Sequence, residues 1–461
     1  MNGSKLFLLS CLLLGCANRE DGSRSVRFAG EIVNPTSDHV VLLKGRHVLD
    51  SAMLDGQNRF SFELDSLEDG LYNFKHAREY QYVFLEQGDS LQIRLNTTDF
   101  DESLVFSGEN EEVNNFLLEL FLANEEVERS MYTTHFDLGA EDFSREVERL
   151  RSDKIQSLNE LLVETPLSEK AQELLRSSID YSFYRFKEIY PFEHKRKLKE
   201  STLHKMPNDF YDYRKTVNYN NERLVYLRPY YEFMKSHFGN ISYMSCAADC
   251  GGNGEAIRNK LHFHKHKLHV IDSLVKEKEL RDNLFRNVAI NYLLMEHDVP
   301  ENNDAFIAAF EKVSHNNEHA EEIHGLYEAV QNIMPNNPLP DVALVDASGD
   351  TLSIASLAKN HKAIYYFWST GQKNHYRELF KQVGLLRQQH PDHRFIGICL
   401  NTEPGRWQAV LNEQGMDQTT QYRAANHKET TEKLVVWPMN KCIVVNNGLV
   451  VNGFANIYHP F

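Results

Sequence analysis

Between residues 26 and 109 apolar residues recur at every second position in short runs. "VRFAGEIVN", "HVVLLKG", "RFSFELD", "GLYNFKH", "YQYVFLEQGDSLQIRL" and "SLVFSG" alternate or are rich in β-branched and aromatic residues, with Asp55-Gly56 and Asp69-Gly70 as punctuation. A period of two buries one face of each strand, so the pattern predicts a small antiparallel β-sandwich. From 110 to 333 the period changes. "VNNFLLELFLANEEVERSM", "EDFSREVERLRSDKIQSLNELLVE", "AQELLRSSIDYSFYRFKEIY", "RDNLFRNVAINYLLMEH" and "NDAFIAAFEKVS" place apolar residues three and four apart, as amphipathic helices do. No fixed-length repeat marks this helical region as a solenoid. The linker "MPNNPLPD" then opens a last region, 334–461, where the pattern alternates between buried strand and helix. "IYYFW", "RFIGICL", "CIVVNN" and "LVVNGF" read as strands, with helices over 374–389 and 406–413 between them, which implies an α/β sheet. The expected class is therefore multidomain: β-sandwich, α-helical region, α/β domain.

The N-terminus departs from all three patterns. "MNGSKLFLLSCLLLGCANRE" has a basic start, a short apolar run and a small residue before Cys16. That is a secretory signal over 1–15, too short to span a bilayer. Leu13-Leu14-Gly15-Cys16 resembles the bacterial lipobox. The resemblance implies cleavage before Cys16, a lipid on its thiol, a polar tether over 16–25 and a place in the cell envelope, periplasmic or surface-facing. Arg19-Glu20-Asp21 faintly resembles the acidic export signal of some Bacteroidetes surface lipoproteins.

Composition narrows the partners. The 461 residues carry a net charge of −16, spread along the chain, so no clustered Lys/Arg surface offers itself to nucleic acid. Four cysteines lie beyond Cys16: Cys246, Cys250, Cys399 and Cys442. In an oxidising compartment Cys246 and Cys250, in "SCAADCGG", form a candidate disulfide across a turn. "LHFHKHKLH" sets His262, His266 and His269 on one helical face. Lys265 and Lys267 between them favour a basic surface stripe over a metal site. "HNNEH", His315 to His319, has the spacing of an inverted zinc-protease motif, but a polar helix end accounts for it as well. The aromatic segment from Tyr181 to Tyr243 reads as core packing rather than a sugar-binding surface. No metal and no cofactor is expected.

The last region resembles the TlpA-like branch of the thioredoxin family over about 120 residues. "PDVALVDASGDTLSIASLAKNHKAIYYFW" is similar to the family's opening hairpin, helix and central strand, and "WPMNKCIVVNNGLVV" to its proline and closing hairpin. The β-region likewise resembles the N-terminal domain of Bacteroidetes lipoproteins that end in such a domain. The resemblance implies a cis-proline at Pro438 and a peptide-binding groove lined by Trp368, Gln372, His375, Trp437 and Pro438. It also implies that Cys399 and Cys442 lie on strands flanking the central one on opposite sides. Two strand spacings of about 4.8 Å keep them some 9.6 Å apart and unable to bond.

Two departures follow. Where the family carries Cys-Xaa-Xaa-Cys, this chain has Gln372 and His375, and neither side chain can form a mixed disulfide. Nor is there room after Phe454 for the family's final helix. The expected function is that of an envelope-anchored, redox-silent module binding a peptide or protein. Its rival is a thiol–disulfide oxidoreductase like the family's members with both cysteines.

Overall fold

Eight strands open the computed structural model, which describes residues 25–250, 255–359 and 361–459. The signal segment, Cys16 and its candidate lipid, and all of the tether but Ser25 lie outside the described residues. The strands are β1 (Val26–Val33), β2 (His39–Lys44), β3 (His47–Met53), β4 (Arg59–Leu64), β5 (Gly70–His76), β6 (Glu79–Leu85), β7 (Ser90–Asn96) and β8 (Val105–Gly108). They make two four-stranded sheets, β4-β1-β7-β8 and β3-β2-β5-β6. Alternate residues of both sheets, among them Phe28, Phe62, Val40, Phe74, Val83 and Leu91, meet in one apolar cluster. The expectation of a wholly antiparallel arrangement needs correcting, because β1 and β7 pair in parallel. "YQYVFLEQGDSLQIRL" is two strands, not one: Gly88 at φ +93° turns the chain between β6 and β7. β3 went unseen in the pattern because it is a sheet edge, almost every residue of which is exposed.

A short helix α1 (Phe100–Ser103) precedes β8, and α2 (Glu111–Thr133), α3 (Ala140–Glu164) and α4 (Glu169–Leu198) follow it. α2 is tied to the sheet by Asn114, whose amide bonds the N–H and C=O of Phe84 at 2.7 and 3.0 Å. Ser168 caps α4 by accepting from the Ala171 N–H. The buried carboxylate of Glu188 on α4 accepts from Tyr213 at 2.8 Å and from the Arg214 guanidinium. Tyr181, Phe183, Phe186, Tyr190, Tyr230 and Phe233 are buried, in keeping with core packing.

The chain divides into two compact units. The first runs to Val217 and includes Asn221–Phe233; the second holds Asn218–Asn220 and everything from Met234. The cut falls inside the helical region, within α5 (Arg228–Asp249). The second unit continues with α6 (Glu255–Arg258), α7 (Lys260–Leu274), α8 (Lys278–Asn291), a π-helical turn over Tyr292–Glu296, α9 (Pro300–Val313) and α10 (Ala320–Asn332). "HNNEH" lies in the turn before α10, with Asn316 at φ +55° and buried His319 held on Asn283 at 2.9 Å. Its two histidines therefore do not share a helix face.

The remaining elements are β9 (Ala343–Val345), β10 (Thr351–Ser353), α11 (Ile354–Ala358), β11 (Lys362–Trp368), α12 (Lys373–Gln389), β12 (His393–Cys399), α13 (Pro404–Glu413), β13 (Gln421–Ala424), α14 (His427–Lys433), β14 (Lys441–Asn446) and β15 (Leu449–Asn456). One sheet results, ordered β10-β9-β13-β12-β11-β14-β15. β11 pairs in parallel with β12 and antiparallel with β14, the arrangement that the thioredoxin resemblance implies. Alternation along β11 sends Ala363, Tyr365 and Phe367 to one core and Ile364, Tyr366 and Trp368 to the other. The edge at β15 is not left open. The linker bonds along it through Asn336 N–H to Val450 O, Val450 N–H to Asn337 O and Leu339 N–H to Gly448 O, at 2.8 to 2.9 Å.

Candidate functional site

The junction between β11 and α12 forms because an apolar run that suits a buried strand ends in Ser369-Thr370-Gly371, where side chains stop favouring the sheet. The Gln372 N–H closes the turn on Ser369 O at 3.1 Å. Thr370 and Thr402 share a hydroxyl hydrogen bond of 2.8 Å that ties this turn to the loop after β12. α12 then buries Tyr376, Leu379, Phe380, Val383 and Leu386 and leaves Gln372, Lys373 and Asn374 exposed. His375 is half-buried in the first turn. Neither of its ring nitrogens reaches solvent or a hydrogen-bond partner. Burial pulls its pKa down, against the nearby Glu378 charge, so the neutral ring is favoured.

The second element of the site is the loop from Leu434 to Asn440. Its Trp437–Pro438 peptide is cis. Val435 sits at φ +48°, a strained position for a β-branched residue. The buried Lys441 amine holds that segment, donating to Leu434 O at 2.8 Å and Val435 O at 2.7 Å. It also lies over the Phe454 ring, 4.6 Å from the centroid. Nothing in the sequence pattern singled out Lys441, since a lysine before a strand usually points to solvent.

Trp368 and Trp437 do not share a groove. Trp368 is 0% exposed and packs edge-on against Tyr376 and Phe380 under α12. Trp437 is 59% exposed, and its neighbours Val436 and Met439 belong to the core of the other sheet face. The strict alternation of β11 is the cause, because Trp368 points away from the face that the proline loop covers. Gln372 and Pro438 are both exposed. Trp437 instead borders a cleft of about 920 Å³ between α10, α14 and the linker, with Leu294, Leu326, Val435 and Val436 in its walls. Two wall charges are already engaged, Glu322 with Arg286 and Lys433 with Glu429. Sequence reading missed this cleft, because α14 is short and carries no clear period, and the cleft's walls come from segments distant in sequence.

The four cysteines stand elsewhere, and all are free thiols. Cys399 and Cys442 lie on the two strands flanking β11, opposite Trp368 and Tyr366. Both are buried, and burial pushes each thiol up to about 12. The candidate disulfide is not formed: Cys246 and Cys250 lie at the end of α5, where helical spacing strains such a bond. Among the described residues, no group of three or more metal-binding side chains gathers at the β11–α12 junction.

No family model matches the chain, and no curated protein does. Solved structures do match part of the chain. One is a candidate thiol-disulfide oxidoreductase from Bacteroides vulgatus, at 19% identity over 28% of this chain and 91% of the other, with a TM-score of 0.25. The thioredoxin domain of a thiol-disulfide oxidoreductase from the same organism matches at 16% identity, over 26% and 86%, with a TM-score of 0.22. A thiol:disulfide interchange protein from a Bacteroides species matches at 15%, over 26% and 81%, with a TM-score of 0.23.

In chemical terms the β11–α12 junction offers an exposed amide at Gln372 and an imidazole at His375, and the separate proline loop offers an exposed indole at Trp437. These groups can stack and hydrogen-bond. None can exchange electrons through sulfur.

Proposed function

We propose that this chain is a lipid-anchored protein of the cell envelope whose thioredoxin-like domain holds a polypeptide without exchanging disulfides. The observation that carries the reading is the pairing of an exposed Trp437, beside a cis-proline loop, with a helix start that carries Gln372 and His375 in place of thiols. Disulfide exchange needs an accessible thiolate. Cys399 and Cys442 are buried and hold their protons to about pH 12, so neither supplies one. A large exposed indole at the border of a cleft whose walls include apolar side chains is, by contrast, a good anchor for another chain. The signal and Cys16 supply the membrane attachment, and the partner is an envelope protein or a peptide in extended form.

The test uses the mature chain and a reduced, alkylated polypeptide carrying a fluorophore. Binding is expected by anisotropy, at least tenfold weaker in Trp437→Ala. Insulin reduction by the same preparation is expected to stay at the background rate. Catalytic reduction of insulin would restore the oxidoreductase reading, and equal binding by both proteins would remove Trp437 from the site.

A further inference from the structure

The second unit gathers two thiols and two imidazoles at a place that the peptide-binding reading does not use. Cys246 lies in the last turn of α5 and is buried. Cys250 follows it, with its N–H on Cys246 O at 3.1 Å. His262 and His266 stand one turn apart on α7, their rings stacked 6.4 Å between centroids. The sulfurs of Cys246 and Cys250 and a ring nitrogen of His262 all lie within 4.8 Å of one another. His266 brings a fourth donor, its Nδ1 3.9 Å from the Cys250 sulfur.

The second ring nitrogen of His266 shows how that donor is prepared. Nε2 lies 2.8 Å from the Ser245 hydroxyl oxygen, and that hydroxyl donates to Ser242 O at 3.4 Å. With its proton so committed, the hydroxyl accepts from His266 Nε2–H. The Nδ1 lone pair is then left facing the sulfur of Cys250. A metal-binding imidazole is characteristically held in this way by its other nitrogen.

We propose that Cys246, Cys250, His262 and His266 form a tetrahedral zinc site. Two thiolates and two neutral imidazoles are a donor set suited to Zn²⁺. Metal–sulfur and metal–nitrogen bonds of about 2.3 and 2.0–2.1 Å give donor separations of roughly 3.4–3.8 Å. The Cys246, Cys250 and His262 donors need to close by only about 1 Å from where they stand, and His266, already 3.9 Å from the Cys250 sulfur, swings in to complete the set. All four positions are filled by protein, so the site is structural: it clips the end of α5 to the start of α7. Binding releases one proton from each thiol, and the two thiolates balance the ion's charge.

Sequence reading set the histidine face aside because Lys265 and Lys267 interleave with it. In the fold Lys265 is exposed, and Lys267 is buried with its amine 4.0 Å from the Cβ position of Gly239. Gly239 precedes Cys246 by seven residues, about 10 Å along a helix. His264, on the same helix, is engaged instead with Glu296 at 3.1 Å. With α5 and α7 packed in this way, the spacing Cys-x₃-Cys-x₁₁-His-x₃-His is a metal-binding pattern.

The test uses the mature chain, purified under reducing conditions and then freed of reductant. One equivalent of zinc is expected. Cobalt is expected to give the thiolate charge-transfer and tetrahedral ligand-field absorption of a Cys₂His₂ site. Cys246→Ser and His262→Ala are expected to weaken zinc binding at least a hundredfold, and Ser245→Ala by about 10- to 100-fold. A readout on the unaltered chain covers variants that fail to fold. Zinc should shield the partly exposed Cys250 from alkylation, and a chelator should expose it, with buried Cys399 and Cys442 unaffected. Three results overturn the site: reduced chain that takes up neither metal, alkylation of Cys250 indifferent to zinc, or stoichiometric zinc retained by Cys246→Ser.

Discussion

His375 carries two polar atoms into the first turn of α12 and satisfies neither. An unsatisfied buried polar group costs about 1–3 kcal/mol. His375→Leu is therefore expected to raise the stability of the second unit by about that amount, read as a higher urea midpoint. A lower midpoint would mean that the ring nitrogens have partners in solution. Lys441 is the opposite case, a buried amine whose bonds to Leu434 O and Val435 O are all made. Burial holds its pKa well below 10.5. Between that lowered value and 10.5 the unfolded chain binds more protons than the folded one, so stability contributed here rises with pH. The stability difference between the wild type and Lys441→Met should accordingly grow in favour of the wild type as pH climbs through that window. Urea midpoints measured at several alkaline pH values check this, and a difference that stays flat would place the amine in water. Neither behaviour was legible in the sequence, where a histidine or a lysine gives no sign of how deeply it will be packed.

Elements in this chain are joined by single polar ties across apolar surfaces. The Glu188 carboxylate, fully buried on α4, is matched by Arg214 and Tyr213 from the short segment after it. Removing the guanidinium leaves a charge inside the protein, which costs roughly 3–5 kcal/mol. Arg214→Met is expected to lower the urea midpoint of the first unit accordingly. Pairing it with Glu188→Met should recover much of the loss, because an apolar replacement of both partners is often neutral. Failure of the double variant to recover would show that the tie sets the position of the segment as well as its energy. The long helices were readable from their apolar spacing, and so were most strands of the first unit. β3 and β13 were not, since an edge strand and a four-residue strand need no alternation to pair.

At the scale of the whole molecule the question is whether the junction of β11 and α12 supports the geometry of disulfide exchange. β11, α12 and a loop with a cis-proline are all present, with Gln372 and His375 at the start of α12. Placing sulfur there by Gln372→Cys with His375→Cys is expected to create an oxidisable pair, seen as a two-proton mass loss, and insulin reduction above the wild-type rate. A pair that stays reduced under mild oxidant would mean that the junction has drifted from the geometry that the resemblance implies. The linker at 336–339 runs along β15, and the backbone oxygen of Ile333 comes within 2.1 Å of where a side chain on Gly453 would begin. The residues before β9 thus cover the β15 edge of the sheet.

The apolar run of β11, the three- and four-residue apolar spacing of the helices and the lack of a thiol in the Gln372 and His375 side chains are properties of the chain read one residue after another. Local pattern and side-chain chemistry were enough to settle them. Which face Trp368 would take relative to the proline loop, where the cleft beside Trp437 opens, and that two cysteines would meet two histidines from another helix all depend on packing. Such contacts join residues that are distant in sequence. Their positions follow from how apolar faces are buried together, and no run of neighbouring residues records that.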